Sequence, residues 1–205
     1  SITKEFPEHP FAWKILAVVL QQTGRIKESL FACQKSIQLD PQDSSAHNNL
    51  GNVLKQFDRL KEAEISYRKA IQLKPDFFEA KFNLGNLLKQ LGKLEEAETI
   101  YKKLISLKPD FAEGYYGLGL LLQQNGRIEE AISAFTKSID INPHFLLSIN
   151  TLVRLLTIYT PKEESSHPII KVNKDIKKFY KKENFSGMIS DNKVIQIFCK
   201  STGII

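Results

Sequence analysis

Apolar residues along this chain recur at the spacing of one helix face, and the whole pattern returns at a fixed period. Leu50, Val53, Leu54 and Phe57 make one stripe, and Leu60, Ala63, Tyr67, Ala70 and Ile71 make the next. Each period therefore predicts two amphipathic helices. The string LKPDF stands at residues 73–77 and again at 107–111, and Asn49-Leu50-Gly51-Asn52 returns as Asn83-Leu84-Gly85-Asn86. Pro7, Pro41, Pro75, Pro109 and Pro143 stand at equal intervals and set that period. Proline cannot continue a helix interior, so each one closes a second helix and opens the next unit. Gly24, Asp58, Gly92 and Gly126 fall between the two helices of a unit, where a tight turn suits Gly or Asp. Four units result, 7–40, 41–74, 75–108 and 109–142, with a partial fifth over 143–160. Residues 1–6 resemble the end of a preceding helix, and both ends of the chain look cut.

Small residues form columns at the points of closest helix approach. Ala17, Gly51, Gly85 and Gly119 make one column, and Ser29, Ala63, Ala97 and Ala131 another. A glycine inside a helix costs about 1 kcal/mol relative to alanine, so its return in three units predicts close packing that compensates. Leu16, Leu50, Leu84 and Leu118, then Leu20, Leu54, Leu88 and Leu122, fill the space around the columns. One helix pair cannot bury both of its faces, whereas stacked pairs can. The fold class expected is all-α, a solenoid of antiparallel helix pairs.

The order Leu-Gly, Leu, Gly, Ala, aromatic, Ala, Pro over residues 7–160 resembles the tetratricopeptide repeat. The resemblance implies a right-handed superhelix whose first helices line a concave groove. Departures are local: Ser29, Ser36 and Ser138 replace an expected Ala, and Leu104 replaces a small residue and predicts a wider third pair. First-helix residues off the core stripe are then expected to face the groove. They are Lys14, Val18, Gln21 and Gln22; Ser45, Asn48, Asn49, Asn52, Lys55 and Gln56; Glu79, Phe82, Asn83, Asn86, Lys89 and Gln90; Tyr116, Leu120, Gln123 and Gln124; and Asn150 with Arg154. An asparagine amide carries two donors and an acceptor and can pair with a peptide backbone. The repeated Asn-Leu-Gly-Asn is similar to the superhelix of O-GlcNAc transferase, whose groove asparagines grip peptide backbone; carried over, that role falls on Asn49 and Asn83. Phe82 and Tyr116 are the expected apolar contacts. A chaperone-type carboxylate clamp fits poorly. Lys14 and Asn49 match it, but Val18, Glu79 and Asn83 do not, and Glu79 would repel a carboxylate.

Charge separates the array from the tail. Residues 1–159 hold 20 Lys and Arg against 18 Asp and Glu, a net +2; residues 160–205 hold 9 against 5, a net +4. A near-neutral array lacks the clustered basic face of a nucleic-acid footprint. In the tail, 161–167 is expected to be a loop. A helix from Pro168 with Ile169, Val172, Ile176 and Phe179 on one face would cap the stack, and Ser190 would start a last helix. The lysines Lys171, Lys174, Lys178 and Lys181 populate the other face of that capping helix. Asn184-Phe185-Ser186 matches a glycosylation acceptor, discounted because no secretion signal precedes it.

Candidate chemistry is sparse. His9, His47, His144 and His167 are scattered, and Cys33 and Cys199 have no metal-ligand spacing. Cys33 stands where other units carry Tyr67, Tyr101 and Phe135, which predicts a core residue. Gly114, Gly117 and Gly119 sit inside a helical repeat, not after a strand, so they are no phosphate loop. Glu95-Glu96 and Glu129-Glu130 open second helices, where they complement the helix dipole. No apolar run approaches the roughly 20 residues of a membrane span. The expectation is a non-catalytic cytoplasmic scaffold without metal or cofactor, binding an extended peptide or partner helix. The alternatives are the recognition arm of a larger, glycosyltransferase-like enzyme, and a basic tail that binds nucleic acid or an acidic surface.

Overall fold

A computed structural model describes residues 5–159. Nine helices occur among the described residues: α1 Pro10–Gln22, α2 Ile26–Leu39, α3 Ser44–Gln56, α4 Leu60–Leu73, α5 Phe78–Gln90, α6 Leu94–Leu107, α7 Ala112–Gln124, α8 Ile128–Ile141 and α9 Leu146–Tyr159. The chain divides after Lys108 into two units. The first contains the pairs α1–α2, α3–α4 and α5–α6; the second contains α7–α8 followed by α9. The architecture is an all-α solenoid of helix pairs. The expected loop at 161–167, the helices from Pro168 and Ser190, Cys199 and Asn184 lie outside the described residues.

Each pair turns in the same way. Gly24, Gly92 and Gly126 take φ of +75°, +74° and +72°, and Asp58 takes +58°. The left-handed residue lets two N–H groups reach back to carbonyls that the helix end leaves unpaired. In α1 these are Arg25 N–H to Leu20 O at 2.8 Å and Gly24 N–H to Gln21 O at 3.1 Å. The same two bonds recur from Arg59 and Asp58, from Lys93 and Gly92, and from Arg127 and Gly126. The residue after the turn also braces the next helix: Arg59 holds Glu62 through two bonds of 2.7 and 2.6 Å, and Arg127 holds Glu130 likewise. Joints between pairs differ in their caps. Asp43 accepts from the backbone N–H of Ser45 and Ala46, whereas Phe77 and Phe111 stand at the same register and cap nothing.

The glycine column is a closure between the helices of one pair. A Cβ on Gly51 would lie 2.6 Å from the Tyr67 ring, on Gly85 2.8 Å from Tyr101, and on Gly119 2.7 Å from Phe135. All three rings are fully buried. In the first pair the ring is replaced by Cys33, and Ala17 fits where the others have Gly. Burial pushes the Cys33 thiol up to about 12, so it stays protonated in the core.

The serines that replace alanine are buried and satisfied. Ser29 Oγ donates to Ala17 O at 2.7 Å, Ser36 Oγ to Pro10 O at 3.0 Å and Ser138 Oγ to Ala112 O at 2.8 Å. A buried hydroxyl without such a partner would cost about 1–3 kcal/mol. Leu104 is fully buried at the register of Ser36 and Ser138. Ala17, Leu20, Ala32, Cys33 and Val53 form one core, with Trp13, Leu16 and Leu50 packed on it. Each large aliphatic side chain so buried contributes about 1.5–3 kcal/mol. Among the described residues no helix is long and apolar enough to cross a membrane.

Candidate functional site

In the first unit, α1, α3 and α5 are neighbours, so their off-core residues make one surface. Its amides are largely organised by the protein itself. Tyr67 Oη donates to Asn52 Oδ1 at 2.7 Å, and Tyr101 Oη donates to Asn86 Oδ1 at 2.8 Å. Burial pushes both phenols above their ordinary pKa, aided at Tyr67 by Glu79, so both remain donors. Each bond fixes which way the asparagine amide points. The NH2 groups of Asn52 and Asn86 have no acceptor among the described residues, and both side chains are partly exposed.

Asn83 bridges the two helices. Its Nδ2 donates to Asn48 Oδ1 at 3.0 Å and to Asn52 Oδ1 at 3.2 Å, and only its Oδ1 is left for another partner. Asn49 is partly exposed and its side chain makes no bond to the described residues. Asn48 corrects the expectation of a groove-facing residue. It is 1% exposed, and its Nδ2 donates to Glu79 Oε1 at 3.1 Å. A peptide cannot reach it, because the α3–α5 contact closes over it. Lys14 is also placed otherwise than expected. Its Nζ bonds Asp43 Oδ2 at 2.6 Å, with both side chains mostly buried. Burial pushes the Asp43 carboxyl up, but Lys14 and the two capping N–H groups outweigh it and hold it below the ordinary value. Lys14 is thus a structural tie between α1 and the α3 cap.

Lys55 and Lys89 occupy the last turns of α3 and α5 at the same register. Neither has a carboxylate partner among the described residues. Burial, then the nearby Lys55, lowers the Lys89 ammonium below its usual pKa. Phe82 is partly exposed and tilts against Tyr101, with ring centroids 6.3 Å apart.

In the second unit, Tyr116 packs between Phe135 and Phe145, at 5.8 and 5.3 Å. Gln123 and Asn150 are partly exposed, and Arg154 is exposed on α9. Here Leu120 stands at the register of Asn52 and Asn86, opposite Phe135, which has no hydroxyl. The first pair repeats the rule with Val18 and Cys33. The amide occurs where the ring has a hydroxyl and is absent where it has none. That pairing was visible in the sequence as two columns that change together, and it marks Asn52 and Asn86 as oriented side chains. Asp43 and the hydroxyls of Tyr67 and Tyr101 were not anticipated as parts of this surface. No group of three or more His, Cys, Asp and Glu side chains suited to a metal occurs among the described residues.

Family profiles described as tetratricopeptide repeat match residues 12–43, 32–65, 66–99 and 112–145, and one described as TPR repeat matches 85–126. No curated protein matches the chain by sequence. Among solved structures, MamA is 25% identical, covers 69% of this chain and 83% of its own, and superposes with a TM-score of 0.63. YrrB, described as a TPR protein with an unusual peptide-binding site, is 17% identical over 93% of this chain and 96% of its own, with a TM-score of 0.62. PilF of Pseudomonas aeruginosa is 19% identical over 94% of this chain and 89% of its own, with a TM-score of 0.69. The repeat period, the helix pairs with their glycine closures, and the matched profiles place this chain in the tetratricopeptide-repeat family.

Proposed function

We propose that this chain is a non-catalytic interaction scaffold that holds an extended peptide along the first helices of its first unit. The observation that carries the reading is the pair of oriented, unused amides, Asn52 and Asn86, set at equivalent positions on neighbouring helices. An extended chain presents carbonyl groups at regular intervals and leaves its side chains largely unread. Donors fixed in place by buried tyrosines lose little freedom on binding, which favours affinity. Asn49 and the Oδ1 of Asn83 extend the amide surface, and Phe82 supplies an apolar contact beside it. The peptide-binding site described for YrrB, a protein of the same fold, agrees with this reading.

The chain supplies its own control. Asn52→Leu with Tyr67→Phe, and Asn86→Leu with Tyr101→Phe, import the Leu120–Phe135 arrangement already tolerated in the second unit. That fourfold variant keeps the core apolar and removes both amides. The wild type is expected to enrich binders from a random decapeptide library, and the variant to lose them while melting as a folded helical protein. Equal enrichment by both proteins refutes the reading.

A further inference from the structure

Several cations among the described residues are matched by carboxylates. Arg25, Arg59 and Arg127 hold Glu28, Glu62 and Glu130, and Arg68 with Lys93 shares Glu64. Lys81, buried on α5, donates to Pro75 O. On the proposed peptide-facing surface Lys55 and Lys89 differ: they stand at one register in the last turns of the neighbouring helices α3 and α5, both partly buried, with no carboxylate partner among the described residues. Burial and then the charge of Lys55 disfavour the Lys89 ammonium. A lysine in a last helical turn is favoured by the helix dipole. That accounts for each lysine singly and not for their juxtaposition, since α1 and α7 carry Gln21 and Gln123 at the same register. Juxtaposed and partly dried, the pair is held at a cost that an anion between the two would remove.

We infer that the peptide taken by the first unit carries an Asp or Glu side chain that docks between Lys55 and Lys89, one helical turn beyond the amides of Asn52 and Asn86. The inference rests on the proposed peptide-binding role and adds the charge of the ligand to it. Lys55 follows Asn52 by three positions, as Lys89 follows Asn86, so amide and ammonium share one helix face. The backbone carbonyls of the ligand meet the amides, and its carboxylate reaches the lysines. The far end of this surface is negative: Glu79 opens α5 and lies exposed beside Asn48. The two ends oppose each other in sign, which sets one direction for an acidic segment and disfavours the reverse.

The test is a positional-scanning library of decapeptides with acetylated N-termini and amidated C-termini, so that the only anions are side chains. It is read against the wild type and against Lys55→Gln/Lys89→Gln, each verified as folded by its thermal melt. The expected result is enrichment of Asp or Glu at one position by the wild type. The variant should lose that enrichment, with affinity for the selected peptide falling on the order of tenfold or more while other positions are unchanged. Peptide capture without acidic enrichment, or enrichment that survives in the variant, overturns the inference and leaves the peptide-binding role standing. Binding only by a parallel library with free C-terminal carboxylates overturns it in favour of a terminal anion. Capture of no peptide by the wild type overturns both.

Discussion

Asp58 holds a left-handed backbone that the other three turns assign to glycine. A side chain there strains against the following carbonyl, and Asp tolerates the strain better than most residues. Asp58→Gly is expected to stabilise the protein by about 0.5–1 kcal/mol, read as a higher urea midpoint with an unchanged slope. Asp43 carries a pH dependence. Its folded pKa lies below its unfolded one, so its contribution is full above the ordinary carboxylate range and is lost as pH falls through the folded value. Asp43→Asn should therefore lower the melting temperature at pH 6 and make little difference near pH 2. Lys89 carries the opposite imprint. Its lowered pKa means that the charged form is disfavoured by folding, so Lys89→Met should stabilise at pH 7. The gain should shrink as pH rises through the folded pKa toward the ordinary lysine value, because the wild type then sheds the charge as well. Titrating melting curves of both proteins from pH 7 to 10.5 checks the sign.

At the scale of the helix pair, energy is concentrated in the contact between one glycine and one ring. Alanine at position 85 would gain about 1 kcal/mol of helix propensity. Its Cβ would meet the buried Tyr101 ring at 2.8 Å, and overpacking of this kind costs typically about 1–3 kcal/mol. Gly85→Ala is expected to destabilise, and adding Tyr101→Cys should make the alanine tolerable, as Ala17 and Cys33 show. A double-mutant cycle measures the coupling, and purely additive effects would contradict it. Most of this level was legible in the sequence. Periodicity located the pairs, and the prolines and left-handed turns bounded them, because backbone requirements leave few residue choices. The carbonyl partners of Ser36 and Ser138 were not legible. Those bonds span 26 residues and depend on how two helices settle against each other.

Over the whole molecule, the candidate site was half visible. The register of the first helices named Asn52, Asn86, Lys55 and Lys89 as surface residues, because that follows from position in the repeat, and all four are partly exposed. It missed that Asn48 is buried against the neighbouring helix and that Lys14, though partly exposed, is tied to an aspartate 29 residues away. Helical phase says which way a residue points and nothing about what closes over it. The two units also differ in what they offer. Leu120 replaces the amide in the second, so peptide binding should protect α3 and α5 from hydrogen exchange and leave α7 unchanged, an outcome that exchange mass spectrometry reads directly.

The glycine–ring closure has a consequence for inheritance. Gly51 meets Tyr67, Gly85 meets Tyr101 and Gly119 meets Phe135, each within its own pair, so a copied pair arrives with its lock already made. LKPDF, identical at 73–77 and 107–111, marks equivalent joints between pairs at which a duplication or deletion of one unit would begin and end. Such an event adds or removes one whole period and divides no lock. The number of pairs can therefore change without breaking the lock inside any of them.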